Sequence, residues 1–376
     1  MIGTIDPRTG MSTVHYNAAG QVDYTEDAAG NRATYIYDLD TGRRLSVTDA
    51  LSNTVYTAYD LQGRPTNVWG ATYPVAYEYD AYGRMAALKT WRDDNGGPDV
   101  TRWFYDEATG LLTNKVYADG NGTAYEFDAA GRLTKRAWAR GITTEYAYDS
   151  LGQLTNINYS DDTPDVSFTY DRLGRQVTVK DVLGMRTNIY DPATLELVTE
   201  QTSDGTALSR TYDSLGRPSG IALDSDYAVD YGYDEQGRMS SVSMANGPTV
   251  AYSYVPESDL LAGWSVTSGL AAAYAYESRR NLRTEVANTF NGNPFSSFAY
   301  TYDAVGRRTQ RVDGRANPPG EPLAVTNIFG YNVRSELDVA LMGTNQFGYQ
   351  YDAIGNRQAA IANVMTNLYQ ANGLNQ

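Results

Sequence analysis

Apolar residues along this chain fall two apart, in short runs separated by Gly, Asn, Asp and Pro. In Tyr77-Glu-Tyr79 and Tyr146-Ala-Tyr148 the rings sit at i and i+2, which puts both on one side of an extended strand. The same spacing recurs when Tyr35, Tyr125, Phe168, Tyr231, Tyr252, Tyr274, Tyr300, Phe329 and Tyr349 are set against the aromatic two positions on. No stretch sustains an apolar period near 3.6 residues, so the pattern predicts strands and essentially no long helix.

Each run leads into the same short phrase, Tyr-Asp-x-x-Gly-Arg. Copies are Tyr59-Asp60 to Gly63-Arg64, Tyr79-Asp80 to Gly83-Arg84, Tyr170-Asp171 to Gly174-Arg175, Tyr212-Asp213 to Gly216-Arg217, Tyr233-Asp234 to Gly237-Arg238, and Tyr302-Asp303 to Gly306-Arg307. Tyr148-Asp149 to Gly152 carries Gln153 in place of arginine, and Phe127-Asp128 and Tyr351-Asp352 open near-copies. Versions one residue longer run from Tyr37-Asp38 to Gly42 and from Tyr105-Asp106 to Gly110, and degenerate ones begin at Tyr190, Tyr254, Tyr276 and Tyr331. The motif aromatic stands at 105, 127, 148, 170, 190, 212, 233, 254 and 276, in steps of 20 to 22. A fixed period in that range marks a solenoid, propeller or array.

Asp-x-x-Gly is the recipe for a three-residue hairpin loop: Asp suits the first position of a type I turn and Gly the left-handed position that follows. If Asp149 pairs with Gln153 across the resulting bulge, Tyr148 faces Leu154; likewise Tyr79 faces Met85, Phe127 faces Leu133 and Tyr233 faces Met239. This register sets Asp60 against Arg64 and Asp213 against Arg217 on the other face, each pair contributing about 0.2–1 kcal/mol and pinning the register. Rings stacked over successive hairpins form the expected core stripe. Asp119-Gly-Asn-Gly122 and Ser203-Asp-Gly205 read as return turns between two strands of about seven to nine residues each.

A chain of 376 residues would ordinarily divide into domains, but repeats that pack only on their neighbours predict one continuous array over 1–376. Its repeats look irregular over 1–36, and a proline-rich loop interrupts it at 313–323. Tyrosine dominates the aromatics, 32 against 8 Phe and 5 Trp, and mean hydropathy is -0.49. Neither a signal peptide nor an 18-residue apolar run is visible, so no membrane span is expected. The formal charge of -15, with arginines spread along the array, argues against nucleic acid.

Reactive centres are scarce. There is no cysteine, which removes thiol chemistry, and the single histidine, His15, reads as a surface or strand residue. Asp93-Asp94-Asn95-Gly96 and Asp161-Asp162-Thr-Pro-Asp165 lack the spacing and closing glutamate of a calcium loop and read as solvated turns. An aspartate repeated in every unit points to turn capping, because a catalytic pair is needed once. Trp69, Trp91, Trp103, Trp138 and Trp264 share no repeat position and are left as contact points. The site residues are therefore the motif residues themselves, with no catalytic, cofactor or metal residue expected.

The motif run, its period and the tyrosine excess resemble the YD-repeat or Rhs-repeat proteins, which include Rhs polymorphic toxins, shell-forming subunits of insecticidal toxin complexes and the teneurin extracellular region. The resemblance implies an all-β fold: a long antiparallel strip of about 17 hairpins curled into a hollow shell or barrel, whole or incomplete. It also implies a non-enzymatic role enclosing or displaying another polypeptide, C-terminal or separate. The alternative is an extracellular adhesion array, which some relatives form, or a carbohydrate-binding one with glycans as ligands, since exposed aromatic rows can bind sugars. The toxin relatives close their array with a segment that releases the C-terminal polypeptide; nothing here matches it, and no catalytic residue is carried over. A secreted or cell-surface location within a longer protein follows from the same resemblance. Self-association through open sheet edges is a further expectation.

Overall fold

The structure, a computed structural model, describes residues 2–6, 8–92, 96–315 and 323–371. Of the loop expected at 313–323, residues 316–322 lie outside the described residues, as do Asp93, Asp94 and Asn95. Among the described residues there are 34 strands and no helix. Each strand pairs antiparallel with its neighbours in sequence, from Ile2–Asp6 to Met365–Leu368, so the sheet is one unbroken meander.

Most strands run five to seven residues, shorter than expected, because the tips and return turns take more of each repeat than the sequence suggested. The tip geometry is as expected. The Asp149 N–H donates to the Gln153 carbonyl at 3.0 Å and the Gly152 N–H to the Asp149 carbonyl at 3.1 Å. A bulge falls between Ala147 and Tyr148, leaving Tyr148 opposite Leu154; Tyr79 lies opposite Met85, Phe127 opposite Leu133 and Tyr233 opposite Met239. Gly152 has φ +86°, a region L side chains avoid at a cost of about 1–2 kcal/mol. The degenerate copies reach it without glycine, at Leu195 (φ 66°), Asn281 (φ 58°) and Ser335 (φ 64°).

Motif tips all lie along one edge of the strip and return turns along the other. A twisted sheet of this many strands must curl. It curls far enough to meet itself: Arg279 bonds the Ala28 carbonyl and Arg92 the Ala371 carbonyl, 251 and 279 positions away in sequence. One turn of the coil therefore takes about twelve repeats. Within the described residues the terminal strands, Ile2–Asp6 and Met365–Leu368, each pair with a single neighbour. The molecule is thus an open coil, not a closed barrel.

The aromatic stripe is not a core of fully buried rings. Among the described residues the buried apolar ones are small, Ala87, Val179, Val229, Ala272, Ala340 and Ala359, while the motif rings from Tyr59 to Tyr351 are half-buried. A single-layer sheet has no second layer to cover its face, so each ring lies along the neighbouring strand. Second-position rings pack against aliphatic partners across the hairpin, Tyr77 with Leu88, Tyr146 with Ile157 and Tyr231 with Val242.

Candidate functional site

The repeated unit is an interlock, and the tip at Asp213 shows it in full. Asp213 Oδ1 accepts the backbone N–H of Leu215 at 2.9 Å and of Arg217 at 3.0 Å, while Oδ2 takes Arg217 Nε at 2.7 Å. The carboxyl is held below its usual range, first by the Arg217 backbone N–H, which outweighs the cost of burial, then by the Arg217 side chain. The Arg217 guanidinium lies 4.2 Å over the ring of Tyr233, the motif tyrosine of the next repeat. Tyr233 in turn donates its hydroxyl to the Pro218 carbonyl at 2.6 Å, and Pro218 sits opposite Tyr212 across the hairpin. Here the repeat is clasped to the previous one twice.

The other motif residues repeat the arrangement. Nε of Arg64, Arg84, Arg175 and Arg307 meets Oδ2 of Asp60, Asp80, Asp171 and Asp303 at 2.7 Å, and Arg238 meets Asp234 at 2.8 Å. Gln153 serves at Asp149, its Nε2 at 2.9 Å. The guanidiniums of Arg64, Arg84, Arg175, Arg238 and Arg307 lie 4.2 to 4.8 Å over Tyr79, Tyr105, Tyr190, Tyr254 and Tyr331. Hydroxyls of Tyr59, Tyr79, Tyr148, Tyr170, Tyr212 and Tyr302 donate to the carbonyls of Arg44, Pro65, Leu133, Leu154, Leu197 and Arg283 at 2.6 to 2.9 Å. Gly63, Gly83, Gly174, Gly216, Gly237 and Gly306 all have positive φ.

Sequence reasoning placed the Asp–Arg pair away from the aromatic row. The bulge at each tip shifts the register, so the arginine reaches across to the next ring. Such a contact contributes about 0.5–1 kcal/mol at an exposed site and a neutral hydroxyl bond about 0.5–1.5 kcal/mol. Both links between repeats escaped the sequence reading. The strong preference for tyrosine over phenylalanine was the signal: a ring needed only for packing does not require a hydroxyl.

The second arrangement is the seam where the coil meets itself. Return turns of the first turn face motif tips of the second. Arg8 donates to Asn281 Oδ1 at 2.7 Å and to the Glu277 carbonyl at 2.6 Å, and the Ala353 N–H donates to the Arg92 carbonyl at 3.0 Å. Tyr73 donates its hydroxyl to Glu336 Oε1 at 3.2 Å with Arg334 5.7 Å over its ring. Burial, then the Glu336 carboxylate, raises the Tyr73 pKa. Among the described residues, side chains and the Ala353–Arg92 backbone bond make this junction, unlike the continuous ladders within the strip.

Other candidate groups are structural. His15 stacks on Tyr24 at 4.6 Å, Asp165 accepts the Tyr159 N–H at 2.8 Å, and Trp138 and Trp264 donate to Thr144 and to the Tyr274 hydroxyl at 2.9 Å. Among the described residues no group of three or more His, Cys, Asp or Glu is arranged to hold a metal.

Fold and tip together define a tandem β-hairpin strip protein. The family model described as RHS Repeat matches residues 105–137, 148–187 and 212–249 of this chain. No curated protein matches it. Two solved structures share its fold: the crystal structure of TcdB2-TccC3-Cdc42, with TM-score 0.67, and that of TcdB2-TccC3, with TM-score 0.66. Each is 14% identical over 96% of this chain, which covers 24% and 25% of theirs, so the chain spans about a quarter of the chains it resembles.

Proposed function

We propose that this RHS-repeat strip is a non-enzymatic wall segment that encloses or displays another polypeptide outside the producing cell, as part of a longer protein. One observation carries the reading: the strip completes a turn and seats on itself, Arg8 on Asn281 and Tyr73 on Glu336, which is how a ribbon becomes a wall. A globular binding domain has no need of such a seam. The test fuses an unstructured, protease-sensitive reporter after Gln376 of the full chain. Enclosure slows reporter cleavage well below that of the free reporter, and cleavage at the free rate removes the enclosure reading.

A second reading, an adhesion or carbohydrate-binding array, is favoured by the Tyr56–Trp69 pair. These rings stack at 5.6 Å while 42% and 43% exposed, an open aromatic face of the kind sugars stack on. A glycan array answered by wild type and lost in Trp69→Ala supports it; no bound glycan eliminates it.

A further inference from the structure

We propose that the tip edge of the coil's first turn is a docking surface for the return-turn edge of a second copy of this chain. The second residue of each tip, x in Asp-x-x-Gly nearest the glycine, is apolar in several repeats. Where the seam covers the tip edge, this residue is less exposed: Val305 is 37% exposed and Ile354 half-buried. On the first turn the same position is open, with Tyr82 79%, Leu151 78%, Leu173 64% and Leu215 75% exposed. The preceding position, open at Val333 (62%), is half-buried at Ala304 and Ala353, whereas on the first turn Ala81, Ser150, Arg172 and Ser214 are exposed, so the seam shelters both tip positions where it passes closest.

Leu151, Leu173 and Leu215 span six strands, roughly 28 Å at the usual strand spacing, a row rather than a scatter. Isolated exposed leucines are ordinary, whereas an aligned row on a built edge marks an interaction surface. The occupant follows from continuity with the seam: the tip edge already accepts this chain's own return-turn edge, through Arg8 and Tyr73. The return-turn edge beyond the seam is also open and carries Leu183 and Val364, 92% and 95% exposed. One edge docking on the other is a heterologous contact, so copies add head to tail and extend the coil. This contact runs along hairpin ends and does not use the terminal strands.

Sedimentation velocity on the full chain tests it. Wild type is expected to show a mass that rises with concentration above 41.3 kDa. Leu151→Asp/Leu173→Asp/Leu215→Asp and, separately, Leu183→Asp are expected to lose association by about tenfold or more with unchanged circular dichroism. Mixing the two variants restores one sound contact per pair and yields a dimer but no longer stack. Wild type that stays monomeric up to about 100 µM, where a micromolar contact would be saturated, overturns the proposal. So does a Leu183→Asp chain that associates like wild type, which would leave the tip row to a different occupant.

Discussion

Tyr148 isolates the hydroxyl rung from everything else in the interlock. Replacing it with phenylalanine keeps the ring, its pairing with Leu154 and the Arg132 guanidinium 4.8 Å above it, and removes only the 2.9 Å bond to the Leu133 carbonyl. A neutral hydrogen bond contributes about 0.5–1.5 kcal/mol net, and water reaches this half-buried ring, so Tyr148→Phe should cost about 1 kcal/mol. Nature supplies the converse at Phe127, the one motif ring lacking a hydroxyl in an otherwise close copy; the tip before it also carries Leu111 where arginine usually stands. Phe127→Tyr should place a hydroxyl against the Leu112 carbonyl, the position opposite Tyr105, and stabilise by a similar amount. In an array that opens locally, hydrogen exchange in the hairpins flanking 127 and 148 reads the effect most directly, with the urea midpoint as the global measure. If both variants stay within about 0.2 kcal/mol of wild type, the hydroxyl ladder holds nothing together and the reasoning fails.

Three more outcomes follow from the same geometry. Leu195→Gly should stabilise by about 1 kcal/mol, because leucine holds φ 66° there at a conformational cost glycine does not bear; a lower urea midpoint would contradict the strain argument. The motif aspartates Asp149, Asp213 and Asp234 titrate below their ordinary value. Their contribution is therefore whole above the unfolded value near pH 3.9 and disappears as pH falls through the lower folded values. Urea midpoints should hold between about pH 5 and 7 and drop below about pH 4, and a drop beginning near pH 6 would rule the tips out as the cause. Finally, Arg8→Ala with Tyr73→Phe should loosen the seam while leaving the sheet intact: scattering shows a larger radius of gyration and circular dichroism stays unchanged. An unchanged radius would mean these side chains do not hold the coil.

The hairpin tip was legible in the sequence because it is local. Asp149, Gly152 and Tyr148 lie within five residues, and turn chemistry together with strand alternation settles their register without reference to the rest of the chain. Period and strand order were legible for the same reason, since each unit pairs with the next in sequence. The arginine's reach was misread because alternation assigns faces to an ideal strand, and the bulge at every tip breaks that alternation where the arginine leaves the backbone.

The seam belongs to tertiary structure alone. Small differences in the twist between neighbouring strands, summed over about twelve repeats, decide whether Arg8 meets Asn281 or solvent. No local pattern encodes that sum. The fate of the apolar tip residues depends on it too: Val305 and Leu215 occupy the same place in the repeat, yet one is 37% and the other 75% exposed because the coil passes over only one of them.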